Sequence, residues 1–489
     1  MKRLLPLAAC ALALAACQDL TEPTAAPVAP SAPRASVAAG GLVEPALAAS
    51  LASLSATDQV LVIVNYDEAA TSTPALTQQI VGLGARVATF RHLSIVLALA
   101  TPGQVNAIAA LPGVQGVYDN GQDRLLLREA TTSMRANLAW AAGVTGKGVG
   151  VAIMDSGING QNPDVPFPGK VVQNVKFTSR FADLFDTGDP SLPRVAGDLY
   201  VENLANTDLT SGHGTHVAGI VAGSGASTFN AYRGVAPGAH LVGLSVGESL
   251  VVVNVSVLQA VDWLLENAAR YNIQVVNNSW GGEGEFDPLD PVNEAMRELH
   301  DAGITVVFAA GNSGPGENTL NPRSAAPWVI SVAAGCKLYV LDPTNSAAEC
   351  QDEGGRAPAL AGFSSRGIPG DPLYHPDITA PGVNIVSTRS LTGTSLNALD
   401  APFDVLTCNI GVQNLQNYTC ASGTSMASPA VAGLVALMEE ASGGRLTPDQ
   451  ALSILTQTAR PLTGYGQWEV GAGYTDAYAA VLAARKLRR

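Results

Sequence analysis

The chain predicts an α/β protein in which a parallel sheet is covered by helices on both faces, preceded by a smaller α+β unit. Three observations carry this expectation. Runs of apolar and β-branched residues at 149–154, 240–246, 274–278, 305–309 and 329–333 lack polar alternation, as strands buried on both faces do. Helical stretches at 213–222, 253–271, 291–302 and 425–440 are interleaved with them, the pattern of a parallel sheet. The 489 residues are 47% hydrophobic and only 14% charged, ample for a large core and too apolar for a disordered chain.

In chain order, Met1-Lys2-Arg3 and the apolar run 4–16 read as an export signal, the apolar part being too short to span a bilayer. Leu14-Ala15-Ala16-Cys17 resembles a bacterial lipobox, which implies cleavage before Cys17, acylation of its thiol and a membrane anchor. Gln18 in place of aspartate points to the outer membrane if the host has two. The signal is thus expected over 1–17. An Ala/Pro-rich tether is expected over 18–57, where Pro23, Pro27, Pro30 and Pro33 favour extended conformers and little surface can be buried.

A second pattern occupies 58–122. Strands are expected at 60–66, 86–92, 94–100 and 114–118. Helices are expected at 74–83 and from Thr101-Pro102-Gly103-Gln104 to about 111, the latter opening with a cap and an early proline. The order βαββαβ is the ferredoxin-like split unit.

The remainder, 131–489, carries three motifs. The strand 149–154 ends in Asp155-Ser156-Gly157. Ser211-Gly212-His213-Gly214-Thr215-His216 opens an apolar helical run. Gly423-Thr424-Ser425-Met426-Ala427-Ser428-Pro429 opens another, with a proline suited to a first helical turn. A strand that delivers a carboxylate, a helix start that delivers an imidazole and a helix start that delivers a hydroxyl are the parts of a base-activated serine nucleophile.

Together, and in the order Asp, His, Ser, these motifs resemble those of the subtilisin-like (subtilase) serine peptidases over 131–489. The resemblance implies Asp155 as orienting acid, His213 as general base, Ser425 as nucleophile and His216 as a structural histidine. Asn278-Ser279-Trp280-Gly281-Gly282 resembles the family's substrate-binding strand, which implies that Ser279, Trp280 and Gly281 pair with the peptide, Trp280 standing where leucine is usual. Ala309-Ala310-Gly311-Asn312 resembles the oxyanion motif, which makes Asn312 an amide donor to the charged oxygen of the tetrahedral intermediate. Phe363-Ser364-Ser365-Arg366-Gly367 and Ile378-Thr379-Ala380-Pro381-Gly382 match framework segments. In its position ahead of these motifs, the 58–122 unit resembles a subtilase prodomain, a folding chaperone and intramolecular inhibitor removed by a cut between 120 and 134.

Six cysteines are present. Cys10 goes with the signal and Cys17 with the lipid, leaving Cys336, Cys350, Cys408 and Cys420. An even remainder in an exported chain implies disulfides, and of three connectivities the sequence-local pairs 336–350 and 408–420 are preferred. Each closes a short loop worth about 3 kcal/mol. The net charge of −14 speaks against a nucleic-acid partner. Acidity is compatible with structural Ca2+, as in some relatives, at sites that charge does not locate, and catalysis needs no metal or cofactor.

The expected function is an exported serine endopeptidase for protein or peptide substrates, made as a self-processed zymogen. It would be membrane-anchored before processing and extracellular or periplasmic afterwards. A non-catalytic lipoprotein with the same fold would have no need for Asp155, His213, Asn312 and Ser425 together. The sedolisin-type acid peptidases use glutamate where His213 stands.

Overall fold

A computed structural model describes residues 41–43, 45–89, 95–119, 128–178, 199–249, 251–282, 284–337, 350, 360–392, 395–396, 401–444 and 446–488. Two compact units divide the chain, one over Pro23–Arg124 and one containing Leu125–Arg489. The signal, Cys17 and the bonds at 120–127 lie outside the described residues.

The smaller unit holds β1 (Leu42–Val43), β2 (Val60–Tyr66), β3 (Arg86–Thr89), β4 (Ile95–Ala100) and β5 (Val114–Asp119) in the order β1-β5-β2-β4-β3. All pairs are antiparallel except β1 with β5. Helix Pro102–Ala109 starts where its cap predicts, and helix Thr73–Gly82 lies within one residue of the expected 74–83. Ser72 accepts the Ala75 N–H, and Gln104 reaches back to the Thr101 N–H at 2.8 Å. Leu76, Ile80, Val105 and Ile108 pack on Val62, Val64 and Val96.

The tether expected over 18–57 requires correction, because 42–51 folds. Strand β1 extends the sheet, and the helix Pro45–Leu51 buries Leu47 and Leu51 in the same core. Their spacing of four puts both on one helical face, a signal diluted by the surrounding Ala and Pro.

The larger unit is built on β6 (Gly150–Asp155), β7 (Val171–Phe177), β8 (Tyr200–Val201), β9 (His240–Ser245), β12 (Ile273–Asn278), β13 (Thr305–Ala309), β14 (Ile330–Gly335) and β15 (Ile378–Pro381). They form one sheet in the order β15-β14-β13-β12-β6-β9-β7-β8, parallel except for β8. Two further antiparallel pairs are separate from this sheet, β10 (Gly247–Glu248) with β11 (Val251–Val252) and β16 (Ile385–Thr388) with β17 (Tyr418–Ala421). Along β6 the side chains alternate: Val151 and Ile153 enter one core, Ala152 and Met154 the other. The first core also takes the helices His213–Ala222 and Thr424–Ser442, the second the helices Asn254–Asn267 and Pro291–Asp301. Both faces are therefore dry, which accounts for the unalternating strands.

The Thr424–Ser442 helix is buried at every position but Glu440, whose carboxylate accepts the N–H groups of Thr145, Gly146 and Lys147. Pro429 stands inside this helix, beyond the first turn expected for it. With no N–H it leaves the Ser425 carbonyl without its helical donor, and the Ser279 hydroxyl supplies one at 2.9 Å. Disulfides join Cys336 to Cys350 and Cys408 to Cys420, the sequence-local pairs.

Candidate active site

Strands β13, β12 and β6 lie side by side; the segments leaving the carboxyl ends of β13 and β12 carry Asn312 and Ser279, and β6 itself ends in Asp155. That end of a parallel sheet is where such folds bind ligands. The helices His213–Ala222 and Thr424–Ser442 bring the imidazole and the hydroxyl in their first turns. Gly214 makes the approach possible, since a Cβ there would come within 2.2 Å of the Gly157 carbonyl oxygen.

Asp155 and His213 are both buried and meet at 2.8 Å between Oδ1 and Nδ1. The carboxylate can only accept, so Nδ1 carries the proton and Nε2 a lone pair. His213 Nε2, equally buried, has no hydrogen-bond partner among the described residues. Burial alone would lower the His213 pKa. The charge of Asp155, its hydrogen bond and the charge of Asp208 outweigh it and set the pKa above the ordinary value.

Ser425 is also buried, and its Oγ–H donates to the Ser279 carbonyl at 3.1 Å and not to His213. Ser279 thus meets the serine twice, its carbonyl holding the Ser425 hydroxyl and its own hydroxyl capping the Ser425 carbonyl. Asn277 donates to the Ser279 Oγ at 2.9 Å and accepts from Ser428 at 2.7 Å, tying strand β12 to the serine helix.

Asn312 accepts through Oδ1 from the Thr424 N–H at 2.9 Å and the Thr424 hydroxyl at 2.7 Å. With its oxygen fixed, the amide turns Nδ2 toward Gly423, where a Cβ would come within 3.4 Å of that nitrogen. Trp280 is engaged by the framework: its indole N–H donates to the Met154 carbonyl at 2.8 Å and its ring meets Phe308 edge-on at 5.0 Å. Gly281 leaves room for Asn321, whose amide donates to the carbonyls of Trp280 and Ala309.

His216 is wholly buried and lies within 3.0 Å of the Ile385 carbonyl and 3.2 Å of the Thr419 carbonyl through Nε2. Burial, then the nearby His213, push its pKa down to about 3, so it is neutral.

Reading the sequence did not single out Asp208, Asn277, Thr424 or Ser428. The polar pair Asn277-Asn278 closing a buried strand, and an acid five positions ahead of His213, were the available signals. Among the described residues no group of three or more His, Cys, Asp or Glu side chains could hold a metal ion.

Residues 146–475 match the model of the subtilase family, Peptidase S8. The chain is 33% identical over 379 residues to the serine protease AprX of Bacillus subtilis, covering 75% of this chain and 74% of that protein. It is 29% identical over 400 residues to the subtilisin-like protease PopC of Myxococcus xanthus, covering 78% and 70% respectively. An extracellular protease of Xanthomonas campestris pv. campestris is 30% identical over 403 residues, 77% of this chain and 60% of that one. Among solved structures, the S41 psychrophilic protease aligns with 68% of this chain and 92% of its own at a TM-score of 0.50 and 26% identity.

Proposed function

The chain belongs to the subtilase family and is a subtilisin-like serine endopeptidase acting on proteins or peptides, and from that premise we propose that it is an exported, self-processed zymogen cleaving through an acyl-enzyme on Ser425. The observation that carries the mechanism is the buried imidazole of His213, held through Nδ1 by Asp155 with the lone pair of Nε2 unclaimed.

In the proposed reaction the Ser425 hydroxyl leaves the Ser279 carbonyl, passes its proton to His213 Nε2 and attacks the scissile carbonyl carbon. Asp155 stabilises the imidazolium, without taking the proton. The carbonyl oxygen, now an anion, accepts hydrogen bonds from Asn312 Nδ2 and the Ser425 N–H. His213 returns its proton to the departing amine, and water, activated by the same base, frees the acid product. The substrate backbone adds as a strand beside Ser279, Trp280 and Gly281, with the Trp280 indole serving the framework.

The small unit acts as chaperone and inhibitor until cut away. Because the lipid sits on Cys17 and the catalytic unit follows the cut, processing severs the enzyme from its anchor and releases it. The extracellular protease of X. campestris among the relatives supports export.

A fluorophosphonate probe tests the chemistry: it labels the processed wild-type chain and leaves Ser425→Ala unlabelled, whereas an unlabelled processed wild type refutes the acyl-enzyme. Cell fractionation tests the release, and a mature catalytic fragment still bearing lipid overturns it.

A further inference from the structure

Asp208 carries no exposed surface and lies in the loop just ahead of the His213–Ala222 helix. Four donors converge on its carboxylate. Oδ1 accepts the Ser156 hydroxyl at 3.1 Å and the Gly212 N–H at 2.8 Å, and Oδ2 accepts the Thr215 N–H at 3.1 Å and the Thr215 hydroxyl at 2.5 Å. The backbone N–H groups of Gly212 and Thr215 can only donate, one to each carboxylate oxygen, while Ser156 Oγ and Thr215 Oγ1 each already accept one hydrogen bond, from the Gly214 N–H and the Asn159 N–H, and turn their protons to Asp208. A carboxylic proton on either oxygen of Asp208 would compete with a fixed N–H donor. The geometry therefore calls for the ionised form, even though burial, the largest effect, and the charge of Asp155 raise its pKa.

The partners are the residues that frame the proposed dyad. Ser156 follows Asp155 and donates its own N–H to Asp155 Oδ1 at 2.7 Å. Gly212 and Thr215 bracket His213 in the helix start, where Gly212, with φ of 86° and no side chain, provides no cap of its own. One carboxylate thus fastens the strand end bearing the acid to the helix end bearing the base, and adds negative charge beside the imidazole. The titratable groups facing His213 are Asp155 from β6, Asp208 from the loop and His216 from its own helix.

We infer that Asp208 is a positioning residue of the peptidase reaction, a second buried carboxylate that holds Asp155 and His213 in register and favours the protonated imidazole formed during attack. The inference rests on His213 acting as general base.

Asp208→Asn tests it in the full-length chain, with activity normalised to sites titrated by a fluorophosphonate. The new amide puts an N–H against existing donors whichever way it turns. The expected result is a fall in kcat of about 10²-fold, the scale of a small misplacement of reacting groups, with KM little changed. The acid limb of the kcat profile should move to lower pH, because loss of the charge lowers the His213 pKa. If the variant does not accumulate, Thr215→Val and Thr215→Ser carry the test, the valine lowering kcat and the serine, which keeps a hydroxyl donor, restoring it. A normal kcat and unmoved acid limb in Asp208→Asn, or a normal kcat in Thr215→Val, with only a lower melting temperature, overturns the inference and leaves the general base intact. Activity surviving in His213→Ala defeats the underlying reading instead.

Discussion

His213 and His216 lie three positions apart on one buried helix, yet their surroundings oppose each other. His213 faces two carboxylates, which hold its pKa above the ordinary 6.5. His216 faces the carbonyls of Ile385 and Thr419 in the β16–β17 ribbon, and burial drives it down to about 3. Equal burial therefore does not give equal chemistry; partners decide. A charge-bearing partner makes one imidazole a proton carrier, and neutral acceptors make the other a brace between the helix and the two-stranded ribbon. The brace is reinforced by Ser387 and Thr388, whose hydroxyls donate to the carbonyls of His216 and Thr215.

The largest effect that separates the two regions is on turnover. His213→Ala should lower kcat by about 10⁶-fold, the size of the same loss in subtilisin, read as hydrolysis of a peptide amide. Turnover within tenfold of wild type would make the two histidines equivalent and end the distinction. His216→Leu should leave kcat per titrated site unchanged and cost about 1–3 kcal/mol for each stranded carbonyl. Urea unfolding of phosphonylated protein, which cannot digest itself, measures that cost, and an unshifted midpoint would remove the brace.

Per pH unit, the smallest effect is a drift of stability, of opposite sign at the two sites. The folded-state pKa of His216 is depressed, so between about 3 and 6.5 the unfolded chain binds a proton that the folded chain refuses. Its share of stability is complete above 6.5 and is lost toward acid at about 1.4 kcal/mol per pH unit. The folded-state pKa of His213 is raised, so its share is complete below 6.5 and fades as pH rises through the raised value. Unfolding midpoints of wild type and His216→Leu from pH 4 to 7 should therefore converge toward acid. Parallel curves would show that His216 is not held neutral. Activity itself should fall on acidification, because only neutral His213 can accept the serine proton.

Much of this site was legible because its residues sit at element boundaries that apolar runs define. The helix from His213 to Ala222 and the strand ending at Asp155 follow from unbroken hydrophobic segments next to glycines. What stayed hidden depends on convergence in space. Asp208 looks like any loop aspartate until Ser156, Gly212 and Thr215 are brought around it. Strand β7 was missed because Gln173 and Asn174 interrupt its apolar run. In the fold both are satisfied, the Gln173 Oε1 accepting the Asn174 backbone N–H and its amide donating to the Tyr271 hydroxyl, while the Asn174 amide donates to the carbonyls of Ile158 and Leu204. The direction of the Trp280 indole, back onto Phe308 and Met154, is a choice of rotamer that spacing does not encode. The tie between Pro429 and Ser279 is a missing donor, visible only once the helix start is known.

The short strand β1 has a practical meaning for anyone who wishes to supply the small unit separately. A fragment begun at Asp58 would bare the outer rim of β5 and uncover the floor that Leu47 and Leu51 roof over. An unguarded sheet margin beside exposed leucines invites clumping with other copies. A usable fragment has to start upstream of Leu42, so that the unit carries its own cover into solution.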